Sequence, residues 1–192
     1  QAAGRLAGQV VLDWHFQPFE LNPGMGPDGE DLFQHLAAKY GATPGQLRQT
    51  HEAIAARGAA LGLVFSPQRT RIYNTFDAHR LLHWLGEEGR GGLQLAFKQA
   101  LFKSYFTAAE NPADPAVLLR QVAQLGLDEA RARVVLESDE YAGAVRQRQA
   151  FYQAQGIHSV PAVIVNGRHL IQGGQPVEAF EQALRQIAAQ QV

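Results

Sequence analysis

The sequence predicts an α/β fold in which a small strand-bearing layer is interrupted by a long helical block. Three observations carry this. Val10, Leu12, Trp14 and Phe16 alternate with polar Asp13, His15 and Gln17, the period-2 signature of a half-buried strand. Near the other end, Ala162-Val163-Ile164-Val165 is rich in β-branched residues and is closed by Asn166-Gly167, a two-residue hairpin signal, with Arg168-His169-Leu170-Ile171 as the return strand. Between these, the chain from residue 30 to about 155 reads as helices. A half-buried strand needs sheet partners, and the only candidates for 10–16 are the late strands. The helical block is then an insertion into a small layered structure.

Each element has its own justification. QAAGRLAG (1–8) looks like the tail of a helix stopped by Gly8. NPGMGPDG (22–29) is dense in breakers and reads as a loop. EDLFQHLAAKYG (30–41) carries Leu32, Phe33, Leu36 and Tyr40 at helical spacing, with Gly41 as the stop. Thr43-Pro44-Gly45-Gln46 is a helix start: a Thr cap, Pro at the first helical position and Gln three residues after the cap. The helix it opens is expected to turn Leu47, Ile54 and Leu61 inward. Residues 63–74 are irregular.

Thr75-Phe76-Asp77 opens a helix with Leu81, Leu82, Trp84 and Leu85 for the core. Residues 92–108 present Phe97, Leu101 and Tyr105 on one face, with Phe102 and Phe106 beside them, and predict a continuous buried helix. Asp114-Pro115 and Asp128 begin two more helices. Ser138 or Asp139 begins a longer one ending near Gly156. Gly173-Gly174 breaks the last strand. Pro176 then starts a final helix with Val177, Phe180, Leu184 and Ile187 on one face.

Bulk composition narrows the function classes. The chain has 192 residues, 46% of them hydrophobic and 18% charged, which suits a globular core. Seventeen basic residues face eighteen acidic ones, so no electrostatic footprint for nucleic acid or a membrane surface is expected. No apolar run approaches the roughly 18 residues of a spanning helix. There is no cysteine, so these residues hold no disulfide and no thiolate of their own.

WHFQPFELNP (14–23), KYG (39–41), NTFDAHRLLHW (74–84), LFKSYF (101–106) and GIHSVPAVIVNGRHLIQGGQP (156–176) together resemble the DsbA-like thioredoxin-fold family, most closely its FrnE-type thiol–disulfide oxidoreductases. The match runs in order through nearly the whole chain. It implies a thioredoxin-like domain, 1–22 with 139–192, interrupted by a helical insertion domain, 23–138.

That family begins with a strand and a Cys-x-x-Cys at a helix N-terminus, where the dipole favours thiolate. The resemblance therefore implies an N-terminally incomplete view, with a strand and most of a helix, on the order of 20 residues, lying upstream of Gln1. The catalytic cysteines are expected there, and the chain alone is expected to be inactive.

The resemblance also makes Pro161 the cis-proline across from the redox motif. Val160 would then offer its peptide group to a substrate strand, with Ser159 and His158 beside it. It makes Asn74, His79 and Arg80 candidate lining of the cleft; read as residues, Asn74 and Thr75 cap a helix and Arg80 makes a surface salt bridge. Phe19 to Asn22 could line the same cleft or be a plain connection. His79 and His83 stand at i, i+4, but no third ligand accompanies them, so no metal is expected.

Expected partners are protein thiols and disulfides, in the cytoplasm, with no cofactor. Dimers occur among such relatives, so a homodimer is also considered. Two alternatives stay open: a glutathione-dependent isomerase or transferase of the hydroxychromene-carboxylate isomerase and kappa type, with glutathione held near Gln172 to Gln175, and a redox-inactive binding scaffold.

Overall fold

The computed structural model describes residues 1–89 and 91–190. The chain forms two compact units, Gln1–His15 with Ala150–Val192, and Phe16–Gln149. These units are drawn from packing, a different criterion from the pattern-based division at 22/23 and 138/139.

In the larger unit, β1 (Glu30–Asp31) pairs antiparallel with β2 (Arg71–Ile72), Glu30 opposite Ile72. Neither strand is signalled by the sequence pattern. Their pairing delays the start of α2 (Leu32–Tyr40) until Asp31, whose carboxylate accepts from the Gln34 N–H as the N-cap. Gly41 closes α2 in the left-handed region, at φ 63°. α3 (Pro44–Ala59) opens with the capping box of Thr43 and Gln46, as expected.

The inward face of α3 differs from the expectation. Leu47 is buried, but Ile54 and Leu61 are exposed. The covered stripe runs through Leu47, His51, Ala55 and Gly58. His51 sets its ring against Phe33 and Phe65, and Gly58 lets the Phe65 ring approach the backbone. Small residues and a histidine carry the contact, so a search for large apolar side chains misplaces it.

The core of this unit lies between α4 (Phe76–Glu87), α5 (Gly91–Phe102), α6 (Pro115–Gln124) and α7 (Glu129–Glu137), around Leu81, Trp84, Leu85, Phe97, Leu118 and Val135. Asp114 and Asp128 cap α6 and α7 through their carboxylates. The expected continuous helix over 92–108 is instead α5 followed by a π-helical turn, Lys103–Thr107, closed by Ala108 N–H donating to the Lys103 carbonyl at 3.0 Å. α8 (Ala142–Ala154) starts after Tyr141, later than Ser138 or Asp139, because Tyr141 takes a positive φ of 62°.

In the smaller unit, α1 (Ala2–Arg5) and α9 (Val177–Ala189) bury Leu6, Leu184 and Ile187, with Ile157 also covered. Arg5 pairs with Glu178 and Glu181 across the two helices. β3 (Ala162–Val165) and β4 (His169–Gln172) form an antiparallel hairpin with Val165 opposite His169. Asn166 and Gly167 both take positive φ, as the turn signal requires, and the Arg168 N–H donates to the Val165 carbonyl. Arg168 belongs to the loop rather than the strand, so the return strand starts one residue later than expected.

The strand expected over 10–16 is corrected. Among the described residues it joins no ladder: β3 and β4 pair only with each other. Alternation alone cannot make a strand, because the ladder needs a neighbour for its backbone groups. Of the expected inward face, Val10, Leu12 and Phe16 are half-buried and Trp14 is 47% exposed, while the opposite side is open, with Val11 98% exposed.

Candidate functional site

The smaller unit brings His158, Ser159, Val160 and Pro161 together at the entrance to β3. All four are exposed. The Val160–Pro161 peptide bond is cis. The Pro161 carbonyl accepts from the Gly173 N–H at 2.8 Å, so the hairpin's pairing extends one step past β3. Pairing stops there. Val160 is 44% exposed, and among the described residues its N–H and C=O have no hydrogen-bond partner. The region before α9 is closed on itself: Gly173 takes φ 77°, and the Gln175 side chain donates to the Gln172 carbonyl.

Asn74, His79 and Arg80 lie in the larger unit. The Asn74 side chain ties two segments: its amide donates to the Met25 carbonyl and its oxygen accepts from the Phe76 N–H at 2.7 Å, starting α4. Thr75 makes no side-chain cap. Arg80 is buried, not at the surface. Its Nη1 pairs with Asp77 at 2.8 Å, its Nε donates to the Glu140 carbonyl, and its Nη2 donates to the carbonyls of Val135 and Ser138. It clamps the end of α7, where helix carbonyls lack partners.

His79 is partly buried, and desolvation pushes its pKa down to about 4, assisted by the nearby Lys98 charge and opposed by the Phe19 backbone. The ring is therefore neutral at pH 7. Burial also lowers His83 and Lys98. Among the described residues no cluster of three His, Cys, Asp or Glu side chains gathers that could hold a metal.

The segment 16–22 is held by side chains that sequence reasoning passes over. Gln94 accepts from the Phe16 N–H and donates to the Phe16 carbonyl, both at 3.2 Å. Gln149 accepts from the Glu20 N–H at 3.1 Å and donates to the Glu20 carboxylate at 3.0 Å. Lys39 donates to the Leu21 carbonyl and to Asn22 Oδ1, which also meets His35. A signal exists in the sequence. Gln94 continues the buried stripe of Phe97 and Leu101, and Gln149 that of Ala142 and Val145. A polar residue on an apolar helical stripe must find a buried partner.

The DsbA-like thioredoxin domain family matches residues 4–185. The chain belongs to that family. Among solved structures it is similar to a probable DsbA oxidoreductase from Streptomyces coelicolor, at 31% identity over 88% of this chain and 73% of that one, with a TM-score of 0.78. It also shares the fold of a candidate protein disulfide isomerase from Nitrosomonas europaea, at 23% identity over 78% of this chain and 76% of that one, with a TM-score of 0.64. No functionally curated protein matches it. Among the described residues no helix is long and apolar enough to cross a membrane.

Proposed function

We propose that these residues belong to a thiol–disulfide oxidoreductase or isomerase of the FrnE type, and that Val160 is the edge on which a protein substrate docks. The observation that carries this is the unpaired, exposed peptide group of Val160, beside a hairpin whose next carbonyl is already used. An extended substrate segment can add there as a strand, with its backbone supplying the missing donor and acceptor. Ser159 and His158 flank that strand. Asn74 and Arg80 act at one remove, by fixing α4 and the end of α7. The 192 residues contain no cysteine, so the reading requires a redox pair in sequence preceding Gln1, or a small thiol such as glutathione.

The test is reduction of insulin by the product of the whole gene, with and without Val160→Pro, which removes one edge donor. The variant is expected to lose about tenfold in rate on insulin, equivalent to one donor-sized interaction. Its turnover of a small aromatic disulfide should stay the same, which also reports folding. No reduction of either disulfide by the parent protein would reject the reading. Turnover that appears only with added glutathione would move the protein to the isomerase or transferase class.

A further inference from the structure

The larger unit carries an alternating row of cations and aromatic rings. Lys98 Nζ lies 5.4 Å from the centres of both the Phe16 and Phe102 rings. Phe102 lies 6.0 Å from Phe106, and the Arg69 guanidinium carbon lies 5.2 Å from Phe106 and 5.0 Å from Tyr105. The π-helical turn contributes Tyr105 and Phe106, adjacent residues that both meet Arg69. Such turns recur at functional sites.

Among the described residues no carboxylate lies within salt-bridge distance of Lys98 or Arg69, although arginines and histidines elsewhere on the chain are paired. Lys98 makes no hydrogen bond there. Arg69 makes one from its side chain, Nη1 to the Tyr105 hydroxyl at 2.9 Å, and that hydroxyl passes on to the Arg71 carbonyl. Arg69 Nε is buried with no partner at all. The guanidinium lies beside both rings, and among the described residues its Nη2 makes no hydrogen bond, which leaves that donor for an incoming carboxylate. Between the two cations the Phe102 ring is 44% exposed.

We propose that this row is a docking surface for an extended acidic segment of a protein partner, of the pattern acid–x–apolar–x–acid. One carboxylate meets Lys98, the apolar side chain covers Phe102 and Phe106, and the second carboxylate meets Arg69. In an extended strand, side chains at i, i+2 and i+4 share a face, and the outer two stand roughly 13 Å apart. The steps from Lys98 to Phe102, Phe102 to Phe106 and Phe106 to Arg69, 5.4, 6.0 and 5.2 Å, leave room for a separation of that order. Charge complementarity selects this occupant: both ends are positive and unpaired, and the middle is apolar. The inference rests on the exchange reading only in taking protein substrates as the natural ligands. Binding measured without thiol chemistry therefore stands or falls separately from it.

The test uses the full-length protein labelled with nitrogen-15 and two blocked pentapeptides, Glu-Gly-Leu-Gly-Glu and its Gln-Gly-Leu-Gly-Gln counterpart. The acidic peptide should shift the amide signals of residues 98–106 and 69, and should weaken as salt is raised through the screening range. The neutral peptide should bind at least about tenfold more weakly, the loss of one charge-assisted contact. Lys98→Gln with Arg69→Gln should abolish the difference between the peptides. Equal binding of both peptides to the parent protein, or no shifts in these segments, overturns the proposal. That comparison needs no variant, so a poorly folded double substitution leaves the decision intact.

Discussion

The Gln94 side chain holds Phe16 as a neighbouring strand would, accepting from its N–H and donating to its carbonyl, while a further donation to the Leu82 carbonyl at 2.8 Å fixes the amide itself. A single glutamine thus supplies the ladder that the alternating segment lacks at this residue.

Gln94→Leu keeps the size and removes all three bonds. It leaves buried or half-buried donors and acceptors unpaired, each costing about 1–3 kcal/mol. We expect a urea midpoint lowered by an amount corresponding to at least about 2 kcal/mol. Fluorescence of the fully buried Trp84, in the same unit, follows the transition. An unchanged midpoint would mean that water replaces the glutamine without loss.

Arg80 separates a supporting role from a contacting one. Its three nitrogens serve Asp77 and three carbonyls. Arg80→Gln should therefore lower stability by about 3 kcal/mol or more, since Asp77 and the α7 carbonyls lose a buried cation. If Arg80 touched substrate instead, the variant would keep its thermal midpoint and lose activity alone. Calorimetry beside an activity assay distinguishes the two.

Two glycines in the left-handed region should differ in cost. Gly41 has φ 63° and open space where an alanine methyl would point, so Gly41→Ala carries only the backbone penalty, about 1–2 kcal/mol. Gly29 has φ 65°, and an added Cβ would fall 2.2 Å from the Ile72 carbonyl oxygen. Gly29→Ala must also displace the β1–β2 pair, so it should lose clearly more. Equal midpoint shifts on thermal unfolding would show that the β1–β2 pair yields freely.

Helix positions are legible in the sequence because caps and periodicity are local. Thr43-Pro44, Asp114-Pro115 and Asp128 start helices where their side chains predict. The turn at Asn166-Gly167 is legible for the same reason. The features that escape depend on partners far along the chain. The run at 10–16 has a strand's alternation and no neighbour to bond, and β1–β2 joins residues about forty positions apart through a two-residue strand on each side. The candidate docking edge is legible at Val160 and Pro161, where a proline opens a strand. No such signal marks Arg69 or Lys98, whose unpaired charges appear only once the surrounding carboxylates have their places.

His79 gives a pH signature whose direction is fixed. Its folded pKa, about 4, lies below the ordinary 6.5, so between those values the unfolded chain binds the extra proton. Stability is then fully present above about pH 6.5 and falls as pH drops towards 4, by roughly 3 kcal/mol if the whole shift is expressed. His83, lowered by burial as well, pulls the same way. His79→Asn removes the titrating ring, so its urea midpoint should change less than the parent's between pH 7 and pH 4.5. Carboxylates held low by arginines, Glu140 by Arg131 and Glu181 by Arg185, act in both proteins alike. Parallel pH curves for the two proteins would show that His79 takes up its proton without penalty, and the ring would then stand in water rather than against the Phe19 backbone.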